Sequence, residues 1–62
     1  MSLKEKRTIR GLTQEDLARE MNVSQASVAM WETGKAKPTA DNLIKLAEVL
    51  ECSVDDLLRK ES

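Results

Sequence analysis

Histidine, tyrosine and phenylalanine are missing from this 62-residue chain, and cysteine, proline and tryptophan occur once each. A lone Cys52 forms no internal disulfide, which excludes a small secreted fold held by staples. No histidine and one cysteine leave no zinc cage and no Ser/His or Cys/His nucleophile pair. No apolar run approaches the roughly 20 residues of a membrane span, and none resembles a signal peptide. These absences point to a cytoplasmic protein with no membrane partner, no metal, no cofactor and no enzymatic machinery. Paired carboxylates do occur, at Glu15/Asp16 and Asp55/Asp56. Both fall where first turns of helices are expected, a position favoured by the helix dipole.

What is present is charge and helical periodicity. Ten Lys and Arg face eleven Asp and Glu, a net of −1. The average hides a division, because residues 1–37 carry seven basic and five acidic side chains and residues 38–62 carry three and six. Apolar residues recur at helical spacing and nothing alternates as a strand would. Start and stop signals cut the chain into five helices: about Ser2–Arg10, Thr13–Asn22, Ser24–Gly34, Thr39–Leu50 and Ser53–Lys60. Ser2/Glu5, Thr13/Asp16 and Ser53/Asp56 have capping-box spacing. Gly11, Asn22 and Gly34 are stops, since these residues tolerate left-handed backbone. Met1, Ser2 and Leu3 read as a common expression start and carry no functional expectation.

Leu3, Ile9, Leu17, Ala18, Met21, Val23, Val28, Trp31, Leu43, Leu46, Ala47, Leu50, Val54, Leu57 and Leu58 are the apolar positions from which a core would be drawn. No helix is long enough to stand alone in water, so all five must pack as one bundle. A domain of this size buries only about 60% of the surface its unfolded chain exposes, which limits stability to a few kcal/mol. Cys52 reads as a small apolar core residue.

The stretch Thr13–Gly34, TQEDLAREMNVSQASVAMWETG, is the most informative. Counted from Gln14, the residues Leu17, Met21, Val23, Val28 and Trp31 fall at positions 4, 8, 10, 15 and 18, where two steeply crossing helices touch. Ala18, at position 5, meets the close approach of the second helix, and Asn22, at position 9, takes the turn. This is the pattern of a helix-turn-helix, over about residues 13–33, whose second helix can enter a DNA major groove.

Residues 3–59 resemble the phage-repressor type of helix-turn-helix domain (Cro/CI, XRE-like) in five ordered blocks: LTQEDLA, VSQASVAMWETGK, KP, NLIKLAEVL and SVDDLL. The resemblance implies an all-α, compact five-helix bundle of the lambda-repressor-like type, filling residues 1–62 as a single domain. It implies sequence-specific binding of double-stranded DNA, most often in repression, as a homodimer on a palindromic operator. By resemblance, Gln25, Ala26 and Met30 match base-contacting positions, with Ser24 on the same face. Gln14 matches a phosphate contact, and Thr33, Lys35 and Lys37 belong to a loop that grips the DNA backbone, to which Ser27 is added. The chemistry agrees. A glutamine amide pairs bidentately with adenine, alanine meets a thymine methyl, and lysines neutralise phosphates without reading sequence. Arg7 and Glu32 match a structural ion pair between the first and third helices.

The acidic second half, about residues 39–60, is expected to face away from DNA and form the dimer, with Val54, Leu57 and Leu58 as interface candidates. Glu51 stands where the family habitually has glycine, so left-handed backbone there would carry about 1 kcal/mol of strain. No small-molecule effector is implied. The competing reading is a protein-interaction module on the same bundle, adaptor or antitoxin-like, which would bind no DNA at low salt.

Overall fold

A computed structural model describes residues 1–59 and contains five helices: α1 Leu3–Ile9, α2 Gln14–Met21, α3 Gln25–Thr33, α4 Ala40–Leu50 and α5 Val54–Leu58. No strand occurs among the described residues, and the fold is the expected lambda-repressor-like bundle. Lys60, to which the last helix was expected to run, lies outside the described residues.

Local chemistry sets the helix starts. Thr13, Ser24, Thr39 and Ser53 are all extended and each accepts a hydrogen bond from the backbone N–H three residues on. At Thr13 the box is reciprocal, with both bonds at 3.0 Å. The Thr13 N–H and hydroxyl hold the Asp16 carboxyl below its ordinary value. Glu15, Asp16, Asp55 and Asp56 all lie in first turns, where they favour the dipole.

The stops repeat one device. Leu12 N–H bonds Arg7 C=O while Gly11 N–H bonds Thr8 C=O, and the same pair of bonds recurs at Val23/Asn22 and at Cys52/Glu51. Each is a Schellman motif, which requires a left-handed residue at its fifth position. Gly11, Asn22 and Glu51 supply it with φ of 71°, 57° and 54°. Glu51 therefore sits in backbone that costs a non-glycine residue about 1–2 kcal/mol. Its carboxylate meets Arg10 at 2.6 Å, at the surface.

Among the described residues, ten side chains form the core: Leu3, Leu17, Ala18, Met21, Val28, Trp31, Leu46, Ala47, Leu50 and Leu57. α2 packs mainly on α3, and α4 bridges α2 and α5. Cys52 lies half-buried against this core, and burial pushes its thiol up.

Two expectations need correction. Ile9 is 72% exposed: six residues of helix carry it about 120° around the axis from the buried Leu3. Ser2 forms no capping box. Its hydroxyl donates to Asp56 C=O at 2.6 Å and its N–H to Leu57 C=O at 2.9 Å, so the residue before α1 closes the end of α5. Ser2 and Leu3 are both buried, Leu3 as its place among the apolar positions implied.

Candidate nucleic-acid interface

α3 divides its side chains between two environments. Val28 and Trp31 face inward and are buried. Gln25, Ala26, Met30 and Thr33 are exposed and Ala29 is half-buried. Residues 25, 26, 29, 30 and 33 are neighbours on one side of a 3.6-residue helix. The structure thus brings Gln25, Ala26 and Met30 together on one outward face. Ala29, absent from the sequence-based candidates, completes it; its place one turn after Gln25 was the available signal.

The hydroxyls around this face are engaged. Ser24 Oγ accepts from Ser27 N–H at 3.1 Å and lies 3.0 Å from Ser27 Oγ. Ser24 is thus the cap of α3 before it is anything else. Thr33 Oγ1 donates to Ala29 C=O at 3.1 Å. At the end of α3, Gly34 takes φ of 82° and Ala36 N–H turns back to Met30 C=O. Ala36 packs on the core, which leaves Lys35 and Lys37 exposed on either side of it.

A second cluster joins three helices. Arg7 of α1 donates through Nε to Glu32 Oε2 at 2.6 Å and through Nη2 to Oε1 at 3.3 Å. Its Nη1 donates to Leu12 C=O at 2.8 Å. Gln14, at the start of α2, donates through Nε2 to Glu32 Oε1 at 3.0 Å. The Arg7 and Glu32 side chains retain only 12% and 5% exposure. Burial alone would push the Glu32 carboxyl up, but hydrogen bonds from Arg7 and Gln14 outweigh it and hold the group below its ordinary value. Residue types and spacing gave no sign of the Gln14–Glu32 bond, because it depends on how α2 crosses α3.

One amide N–H of Gln14 is taken by Glu32; the second stands at the same end of α2 as the backbone N–H groups of Gln14 and Glu15. The first residues of a helix have no intrahelical acceptor for these groups. Between Gln14, Thr13, Gly11 and Gln25 runs an open groove of about 420 Å³. It lies where α2 and α3 begin side by side.

The helix-turn-helix family matches residues 3–57. The chain belongs to that family. Its relatives include the HTH-type transcriptional regulator DicA of Escherichia coli, 46% identical over 41 residues, or 66% of this chain and 30% of the relative. The cryptic phage CTXphi transcriptional repressor RstR of Vibrio cholerae is 42% identical over 45 residues, 73% of this chain and 40% of the relative. The HTH-type transcriptional activator BcrR of Enterococcus faecalis is 36% identical over 59 residues, 95% of this chain and 29% of the relative. The chain thus spans between 29 and 40% of the length of these relatives. No solved structure matches it. Within the helix-turn-helix, α2 and α3 are the crossing pair and Asn22 is its turn, so the outward side of α3 is the face the motif presents.

The remaining candidates lie on α5. Leu57 is fully buried in the domain's own core, so it is withdrawn as an interface residue. The register of a single turn explains this: Leu57 points in and Leu58, at 54% exposure, points out. Val54 is half-buried against the core. Ile44, also 54% exposed, adds an apolar side chain on α4 that the sequence reading passed over.

Proposed function

We propose that this helix-turn-helix chain is a sequence-specific, double-stranded DNA-binding regulator of transcription that acts in the cytoplasm as a repressor. The carrying observation is the outward face of α3. Gln25 and its small apolar neighbours stand clear of the core on a helix held at both ends. In this reading Gln25, Ala26 and Met30 face base edges. Lys35 and Lys37, with the first turn of α2, meet phosphates, and Ser27 and Thr33 flank them. The repressor assignment is favoured by relatives such as RstR, named as a repressor.

The bound form is a homodimer on a palindromic operator, with two α3 helices in successive major grooves about 34 Å apart. Ile44 and Leu58 on α4 and α5 support this. So does a cavity of about 350 Å³ among Met1, Lys37, Pro38, Leu43 and Leu58, which would accept apolar side chains of a second copy. With no large basic surplus, specificity must come from few contacts and from pairing. The test is a gel shift of the protein and of Gln25→Ala on a site selected from random duplexes and on a scrambled duplex. Gln25→Ala is expected to weaken the selected site by about 1–3 kcal/mol and the scrambled duplex hardly at all. Equal binding of the parent to both duplexes would refute sequence reading. No binding at about 50 mM salt would favour a protein-interaction module.

A further inference from the structure

We infer that α3 reads an A·T half-site in which the thymine 5-methyl group is the main feature recognised. The inference rests on the DNA-binding reading and names what that face selects. From Ser24 to Trp31 there is no charged side chain. The face therefore lacks arginine or lysine to grasp guanine O6 and N7, and lacks a carboxylate to accept from cytosine N4. Glu32, the nearest carboxylate, is held by Arg7 and Gln14. The hydroxyls are partly committed: Ser24 and Ser27 share one bond and Ser24 also accepts at the cap, which leaves a single serine O–H that suits more than one base, while Thr33 donates to the Ala29 carbonyl.

Two kinds of group remain that tell one base from another. Gln25 is exposed, and its amide combines a donor with an acceptor, the pattern complementary to adenine N6 and N7. Ala26, Ala29 and Met30 offer only C–H and thioether surface, and Met30 keeps 39% of its area in water. In the major groove of unmodified DNA, the thymine methyl is the one apolar group available to such a surface. The nine residues of α3 extend about 13 Å, enough to lie along roughly four base pairs. One amide and an apolar strip over that length describe an adenine beside two or three thymines.

Selection from a random duplex pool, followed by replacement of each selected thymine with deoxyuridine, tests this. The expected half-site has A·T at the pairs whose identity matters to Gln25. Deoxyuridine should weaken binding about four-fold at each of two or three adjacent thymines, the effect of removing one buried methyl, and not at flanking positions. Met30→Ala changes an exposed residue and should shrink that thymine-to-uracil ratio while the fold remains intact by circular dichroism. A selected site with G·C at the pairs under α3, or with no response to deoxyuridine, overturns the inference and leaves DNA binding standing. Failure to enrich any sequence overturns both.

Discussion

Replacing Arg7 with alanine removes the cation from a carboxylate that has almost no water to turn to. Glu32 is 5% exposed and Arg7 12%, and Arg7 contributes both charge-assisted bonds to Glu32 and a third to Leu12 C=O. Breaking a buried pair from one side costs about 3–5 kcal/mol, because the abandoned charge is left without compensation. Gln14 still donates to Glu32, so the expected loss lies at the lower end, about 3 kcal/mol. A domain of this length has about 3–6 kcal/mol in total. Arg7→Ala should therefore be largely unfolded at 25 °C or lose more than 10 °C in Tm. Urea titration followed by Trp31 emission and far-ultraviolet circular dichroism reads this directly, since Trp31 is the only aromatic residue and is buried. Arg7→Met with Glu32→Met separates charge from packing and should fall within about 1 kcal/mol of the parent. Acid sharpens the comparison. Folding lowers the Glu32 pKa, so its stabilisation is complete above the ordinary value of 4.5 and fades as pH falls through the lower folded value. The double variant should lack that component and keep only what the capping carboxylates Asp16 and Asp56, lowered in the same direction, contribute. If Arg7→Ala cost less than about 0.5 kcal/mol, the pair would be behaving as a surface pair and the reasoning would fail.

Other perturbations have smaller or different readouts. Glu51→Gly relieves left-handed strain but loses the exposed pair to Arg10, for a net gain of roughly 0.5–1 kcal/mol in urea unfolding. Ser2→Ala removes the hydroxyl bond to Asp56 C=O. It should cost about 1 kcal/mol, seen as a lower midpoint with an unchanged urea slope. Lys35→Ala should weaken selected and scrambled duplexes alike and reduce the slope of log K against log salt by about 1, measured by fluorescence anisotropy across a salt series.

Features encoded locally are legible in the sequence. Thr13, Ser24, Thr39 and Ser53 cap because a hydroxyl three residues ahead of an N–H is a short-range geometry, and Asn22 turns for an equally local reason. Leu17, Met21, Val28 and Trp31 are buried because their spacing fixes one face of each helix. Features that depend on tertiary placement were not legible. Ser2 has the sequence of a cap, yet its hydroxyl found a stronger use 54 residues away. Leu57 and Leu58 are equivalent as letters, and only the packing of α5 decides which one enters the core. Gln14 begins α2 like any polar first-turn residue, but the crossing of α2 and α3 sets its amide against Glu32.

The bond from the Ser2 N–H to the Leu57 carbonyl spans 55 positions of a 62-residue chain. Closing it encloses residues 2–57 in a single loop, whose entropic cost must be met before the contact returns anything. α5 is only five residues long and too short to persist alone. It acquires its C-terminal partners only when the first residues of the chain come back to it. The domain is completed at its two ends together, so damage to either end is felt at the other.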